Sequence, residues 1–168
     1  MNILFIDDNN LTEKLIKRCT LISNIFCLSN KPLKKYIDYK NITYINNKSN
    51  LKNITFDTII ITNEHIQVDN ILDLKDFFIR TNKDLLYIKK YASNTTKVIL
   101  FIPTNKKYYT IKESLYKEIF KYLNKNHKKI NYVIVEYNNL NDNFIFKAQN
   151  IIYDNNRKIY RSLFKKHS

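Results

Sequence analysis

Two adjacent carboxylates, Asp7 and Asp8, directly follow the apolar run Asn2–Ile6 near the start of the chain. Carboxylate oxygens are the ligands that Mg²⁺ prefers, so such a pair could hold a divalent cation. The same charges would also stabilise a helix that begins just after them, because the helix macrodipole is positive at its N-terminus. Asn10 and Glu13 have the spacing of a helix capping box. We therefore predict that the two carboxylates stabilise a helix N-terminus rather than bind a metal ion.

Few other side chains of catalytic type are arranged in a recognisable pattern. His65 follows Glu64 and could act as a general base, although an exposed polar loop is the simpler interpretation. No serine–histidine–aspartate order, zinc-binding histidine motif or phosphate-binding loop occurs in the sequence. The two cysteines, Cys19 and Cys27, are too few for a disulfide framework or a zinc site, and their apolar neighbours predict inert, buried thiols. We therefore expect a reducing, intracellular compartment.

Basic side chains are concentrated in the second half of the chain. Residues 85–168 carry 17 basic and five acidic side chains, whereas residues 1–84 carry 12 and 10. Cations neutralise phosphates, and Tyr160 and Phe164, which lie between cations of the tail, could stack on bases or dock an amphipathic helix end. The pattern predicts a surface for RNA or an acidic protein assembly, although the lysine bias of an AT-rich genome would look the same. The candidate polyanion-binding residues are Lys106, Lys107, Lys125, Lys128, Lys129, Arg157, Lys158, Arg161, Lys165 and Lys166.

Apolar runs alternate with amphipathic stretches along most of the chain. Continuous runs of Ile, Val, Leu and Phe are typical of strands that are buried on both faces of a parallel sheet. Apolar residues spaced three and four apart are typical of helices. The alternation predicts an α/β fold, with a doubly wound, mostly parallel, six-stranded Rossmann-like sheet and helices on both faces. The predicted strands are Asn2–Ile6, Asn24–Leu28, Ile42–Ile45, Phe56–Ile61, Lys97–Ile102 and Tyr132–Val135.

The helical patterns divide the chain into a main domain and an extension. We predict helices at Asn10–Cys19, at 70–79 with a continuation over 85–92, at Thr110–Leu123, and within 144–164. Thr110 and Glu113 form a capping box, so the third of these helices is expected to begin there. We assign residues 1–140 to a Rossmann-like domain and 141–168 to a basic helical extension packed on it. No apolar run approaches the roughly 20 residues of a membrane helix, and no signal peptide is visible.

The order of these elements resembles the extended short-chain dehydrogenase/reductase family, which comprises the NAD(P)-dependent sugar-nucleotide epimerases and dehydratases. Asp7–Glu13 stands where the family carries the glycine-rich turn GGxGxxG, and Phe56–Ile61 looks like the strand usually written FDxVIH. Lys97–Thr104 resembles the strand that delivers the catalytic serine or threonine, and Tyr116 stands near the catalytic tyrosine. The resemblance covers Met1 to about Leu140 and lies in order and spacing. It implies NAD(P) as the cofactor, with Thr104 and Tyr116 as the acid/base pair.

The cofactor-binding turn departs from the family at every glycine, and the chain contains no glycine at all. Asp7, Asp8, Asn10 and Glu13 add side chains and negative charge where the family's backbone approaches the diphosphate. One like-charge contact at 4 Å costs about 4 kcal/mol at an effective dielectric constant of 20. A helix N-terminus stabilises an anion by only about 0.3–1 kcal/mol. We therefore predict that this turn binds no dinucleotide cofactor and that the chain has no catalytic residues.

These observations predict a non-catalytic Rossmann-like domain that serves as a binding or structural subunit, for example of a ribonucleoprotein. The family's lysine four residues after the tyrosine is Phe120 here, and its substrate domain has no counterpart in the remaining chain. One alternative is a reduced NAD(P)-dependent nucleotide-sugar enzyme that uses Thr104 and Tyr116. A second alternative is a viral or regulatory protein–protein interaction module. A phosphorelay receiver domain also opens with a strand and an acidic pair, and its phosphoacceptor would fall at Thr62 or Asn63.

Overall fold

A computed structural model describes residues 1–7, 9–28, 41–45, 54–62, 71–104, 109–126 and 131–154. Within these ranges six strands form one sheet in the order β3-β2-β1-β4-β5-β6, and all five neighbouring pairs are parallel. This is a doubly wound, Rossmann-like α/β fold, as the alternation of apolar runs predicts. The strands are β1 (Asn2–Phe5), β2 (Asn24–Leu28), β3 (Ile42–Ile45), β4 (Thr58–Ile61), β5 (Lys97–Pro103) and β6 (Asn131–Tyr137).

In the part of the chain that the structure describes, four helices cover the two faces of the sheet, and alternate residues of each strand point to opposite faces. On one face, Ile3 and Phe5 of β1 belong to an apolar cluster that includes the buried side of two helices, α1 (Asn10–Cys19) and α4 (Asp142–Tyr153). On the other face, Leu4 and Ile6 belong to a cluster with residues of α2 (Ile71–Tyr91) and α3 (Tyr109–Asn126). No helix in the described ranges is both long and apolar enough to cross a membrane.

Several element boundaries differ from the prediction. α2 is one continuous helix, as the helical pattern at 70–79 and its continuation over 85–92 predict, and the polar stretch in its middle carries side chains that bond inside the fold. Thr81, for example, is buried and its hydroxyl donates to the carbonyl of Phe77 at 2.8 Å. α3 begins at Tyr109, so Thr110 lies inside the helix and does not cap it. α4 spans Asp142–Tyr153, and the part of the predicted 144–164 helix beyond residue 154 lies outside the described residues.

The C-terminal end of α4 is joined to the start of β5 by a buried lysine. The amine of Lys97 donates to the carbonyl oxygens of Ile151 at 2.7 Å and Asp154 at 2.6 Å. The last carbonyls of a helix have no partner within the helix, so this side chain satisfies two groups that would otherwise be unpaired. Burial lowers the pKa of Lys97, and the nearby Asp154 partly offsets that shift. Lys97 therefore fixes the position of α4 on the sheet.

Candidate functional site

The strand order places the topological switch point between β1 and β4. β2 and β3 lie on one side of β1 in the sheet. The chain then crosses to the other side of β1, where β4, β5 and β6 follow in order. In open α/β sheets, ligands bind outside the carboxyl ends of the strands at this point. Among the described residues, those at this point are Asp7 and Asn9 in the turn after β1 and Thr62 after β4. The geometry of this crevice therefore decides whether the fold can hold a dinucleotide.

The turn after β1 is closed by hydrogen bonds between side chains. Asn9, not Asn10, is the N-cap of α1, and its Oδ1 accepts from the backbone N–H of Thr12 at 3.0 Å. The Asn9 Nδ2 donates to the hydroxyl of Thr62 at 2.6 Å, and the hydroxyls of Thr12 and Thr62 are 3.0 Å apart. All three residues are at most 6% exposed. A buried polar network therefore joins the start of α1 to the end of β4.

The carboxylate of Asp7 takes part in the same network. Its Oδ2 accepts from the backbone N–H of Thr62 at 3.3 Å, and its carbonyl oxygen accepts from the hydroxyl of Thr12 at 2.8 Å. In dinucleotide-binding folds the backbone donors and the space at this position are left to the diphosphate. Here protein carboxylate, amide and hydroxyl groups satisfy one another instead. We call Asp7, Asn9, Thr12 and Thr62 the switch-point network.

The other residues predicted around the turn do not enter this network in the described contacts. Asn10 is the exposed first residue of α1, and Glu13 is half-buried within its first turn. Asp8 lies outside the described residues. The sequence draws attention to this turn, but it does not reveal two partners of Asp7, the hydroxyl of Thr12 and the backbone N–H of Thr62.

Tyr116, the expected proton donor of an active reductase, lies in the core. Its side chain is 1% exposed, and its hydroxyl donates to Oδ2 of Asp84 at 2.8 Å. Burial, followed by the charge of Asp84 and the hydrogen bond to it, raises the pKa of Tyr116 well above its usual value. Phe120, at the position of the family's lysine, is fully buried and stacks on Tyr132 with the ring centroids 4.3 Å apart. The hydroxyl of Tyr116 thus belongs to a packed interior.

Asp84 is the partner that sequence reasoning missed. It is 4% exposed, and it lies in the middle of α2 on the side that also buries Phe77, Thr81 and Ile88. Spacings of three, four and seven residues place these side chains on one helix face. A carboxylate within an otherwise buried stripe is the signal that could have revealed it, because a buried charge requires a hydrogen-bonding partner.

Thr104 lies at the carboxyl end of β5, where its backbone N–H and its hydroxyl both donate to the carbonyl of Tyr137, at 2.8 and 3.3 Å. It borders a small cavity of about 170 Å³ at the ends of β5 and β6. Glu136 also lines this cavity, and burial, with a smaller effect from Glu113, raises the pKa of its carboxyl. The remaining lining residues are Tyr137, Asn138, Asn139, Asn141, Asn143 and Phe144.

The predicted basic surface is described at one position. Lys125 is exposed near the end of α3, whereas Lys106, Lys107, Lys128, Lys129, Arg157, Lys158, Arg161, Lys165 and Lys166 lie outside the described residues. His65, His127 and His167 lie outside them as well. Three further lysines of the basic half, Lys117, Lys121 and Lys147, are exposed on α3 and α4.

Both cysteines are free and buried, as their apolar neighbours predict. Burial raises the pKa of Cys19 to about 11, which keeps its thiol protonated and unreactive at neutral pH. Among the described residues, no group of three or more His, Cys, Asp or Glu side chains is placed to hold a metal ion. No protein family, curated protein or solved structure matches this chain.

Proposed function

We propose that this protein is a non-catalytic Rossmann-like domain that serves as a binding subunit and contacts RNA or an acidic assembly through its basic second half. The observation that supports the non-catalytic part is the switch-point network. Asp7, Asn9, Thr12 and Thr62 bond to one another in the crevice where this fold otherwise takes a dinucleotide. A diphosphate would have to displace buried hydrogen bonds and approach the carboxylate of Asp7.

The environment of Tyr116 supports the same proposal. A tyrosine that transfers a proton to substrate must reach that substrate, and it is most effective when its pKa lies near the working pH. The hydroxyl of Tyr116 is buried, bonded to Asp84, and its pKa is shifted upward. These properties suit a structural hydrogen bond better than proton transfer.

The charge distribution supports a polyanionic partner. The second half of the chain has a surplus of 12 positive charges, because it contains 17 basic and five acidic side chains. Within the described part of that half, the lysines of α3 and α4 whose exposure is known are solvent-exposed, including Lys125 and Lys147. Exposed lysines attract phosphates and steer their approach.

Calorimetric titration with NAD and NADP is expected to give no binding heat, which corresponds to a dissociation constant weaker than about 1 mM. The physical reason is that the switch-point network and the charge of Asp7 occupy the diphosphate position. Common nucleotide sugars are titrated in the same series. A dissociation constant tighter than about 100 µM for any of these ligands would contradict the proposal and favour the reduced enzyme.

Filter binding to a single-stranded RNA is expected to give measurable affinity at low salt, with a steep decline as salt rises. For six neutralised phosphates, the slope of log K against log salt would be about −4. The double variant Lys106→Glu/Lys107→Glu should weaken binding by about tenfold. The matched control Lys17→Glu/Arg18→Glu, which changes two exposed cations of α1, should change it less than twofold. Negligible affinity at low salt, or a slope near zero, would refute RNA as the partner.

A further inference from the structure

An apolar groove lies between α2 and α3, on the outer side of the face that these two helices cover. It has a volume of about 460 Å³. Leu85 and Leu86 of α2 form one wall, and Ile119 and Tyr122 of α3 form the other, with Lys89 and Glu118 beside them. We call this feature the α2–α3 groove. It is separate from the switch-point network, which involves the opposite pair of elements, α1 and β4.

The apolar side chains around the groove are unusually exposed. Leu86 is 65% exposed and Tyr122 is 60% exposed. Phe78 and Ile79, which lie seven residues before Leu85 and Leu86 respectively on α2, are 47% and 46% exposed. Exposed apolar side chains that line a groove on a protein surface mark an interaction site.

The surroundings of the groove are basic. Along residues 82–91 of α2 and 118–125 of α3, the exposed lysines are Lys83, Lys89, Lys90, Lys121 and Lys125. In these two segments the exposed acidic side chain is Glu118, which is paired with Lys121 at 2.5 Å, while Asp84 is buried against Tyr116. The apolar walls are therefore bordered by a net positive charge.

Charge complementarity distinguishes between the possible occupants. A second copy of this chain would bring an equally basic face against the first, and like charges across an interface oppose association. The tail of this chain is basic too, because residues 155–168 contain Arg157, Lys158, Arg161, Lys165 and Lys166 and no acidic residue. A partner with apolar and acidic side chains would pack against the apolar walls and pair with the lysines at the border.

We infer that the α2–α3 groove binds an acidic amphipathic helix of a partner protein. Apolar side chains spaced i, i+3, i+4 and i+7 on such a helix would lie between Leu86 and Tyr122, as in other helix-in-groove complexes. Its acidic side chains would pair with lysines such as Lys89 at the border. This inference goes beyond the proposed function, because it assigns a second surface to a protein partner and stands whether or not the chain binds RNA.

The test uses the full-length protein and two designed, fluorescently labelled peptides of 18 residues. Both peptides carry leucine at i, i+3, i+4 and i+7 positions; one carries glutamate at the other helix-surface positions and the other carries lysine. Fluorescence anisotropy is expected to show binding of the acidic peptide in the micromolar range and at least tenfold weaker binding of the basic one. Raising the salt concentration should weaken binding of the acidic peptide, because salt screens the attraction between exposed charges.

Variants of the groove separate the apolar contribution from the charge contribution. Leu86→Ala and Tyr122→Ala should each weaken the affinity for the acidic peptide by about fivefold or more. This is the usual loss when a central contact of an interface is removed. The matched control Phe146→Ala removes a side chain that is 54% exposed on α4, on the opposite face, and should leave binding unchanged. Lys89→Glu should weaken binding, and its control Lys147→Glu should not. All five positions changed in the groove and control variants are exposed, so the fold is retained.

Five results would overturn the inference. The first is equal binding of both peptides, and the second is an equal loss in the groove and control variants. The third is a dimer, detected by sedimentation, that dissociates in Leu86→Ala, because this would assign the groove to a second copy. The fourth is tighter peptide binding by Leu163→Asp/Phe164→Asp, because this would assign the groove to the tail. The fifth is an RNA affinity that falls in Leu86→Ala, because this would assign the groove to RNA.

Discussion

Replacement of Tyr116 by alanine is expected to lower the free energy of unfolding by about 4 kcal/mol, since a fully buried aromatic side chain is removed and a cavity is left. The side chain is 1% exposed and is among the largest that the core contains. The change also leaves Asp84, itself 4% exposed, without the hydroxyl that donates to it. Tyr116→Phe keeps the ring and removes that hydrogen bond alone. We expect it to cost about 2 kcal/mol, because a bond to a buried carboxylate is stronger than a neutral one.

Denaturant unfolding of the two variants measures both losses. Tyr122 provides the matched control, because it is a tyrosine of the same helix that is 60% exposed. Tyr122→Phe and Tyr122→Ala should each have a free energy of unfolding within about 0.5 kcal/mol of that of the unchanged protein. If Tyr116→Phe unfolds at the same denaturant concentration as the unchanged protein, the buried hydrogen bond has no structural importance. A catalytic role for Tyr116 would then be the better account.

Replacement of Thr62 by valine is expected to cost about 2 kcal/mol, although the two side chains have nearly the same shape. The variant removes the hydroxyl that accepts from Asn9 Nδ2 at 2.6 Å and lies 3.0 Å from the hydroxyl of Thr12. Thr62 is fully buried, so no water can replace the lost partner without entering the core. A buried donor that loses its acceptor costs about 1–3 kcal/mol.

A double-mutant cycle with Asn9→Ala tests whether the network acts as a unit. Asn9→Ala alone should cost about 2 kcal/mol, because the N-cap of α1 is lost together with the bond to Thr62. The coupling free energy between the two changes should be about 1 kcal/mol, the size found for residues that share a hydrogen-bond network. Thr43→Val on β3 is the control, since Thr43 is exposed and should tolerate the change. Additive losses would mean that the contacts across the crevice are independent.

The fold could be predicted from the sequence because the central strands β1, β4 and β5 are buried on both faces and read as continuous apolar runs. β2, β3 and α1 begin and end at the predicted residues, since the apolar runs Asn24–Leu28 and Ile42–Ile45 stop where polar residues begin. The contacts of two polar residues in the middle of α2, Thr81 and Asp84, could not be predicted. Both are buried and bonded, Thr81 to the carbonyl of Phe77 and Asp84 to Tyr116. Such hydrogen bonds depend on the fold, so the local spacing of apolar residues does not predict them.

The sequence places candidate site residues in the turn after β1, but it does not predict the hydrogen bonds that they form. The sequence identifies the turn after β1 as crowded and acidic, and it predicts repulsion of a diphosphate. It does not reveal that the backbone N–H of Thr62, a residue 55 positions away, donates to the carboxylate of Asp7. The same limit applies to the α2–α3 groove, because Leu86 and Tyr122 become neighbours only when the two helices pack side by side.

The buried amine of Lys97 makes this residue a natural reporter of strand–helix separation. Lys97 is 8% exposed, and its amine donates to the carbonyls of Ile151 and Asp154. An amine-acylating reagent can reach it only after α4 lifts away from β5, whereas exposed lysines such as Lys17 and Lys147 react in the folded state. The rate of acylation at Lys97 therefore reports the local opening of α4 from β5. Measurements of global unfolding do not resolve such a local motion.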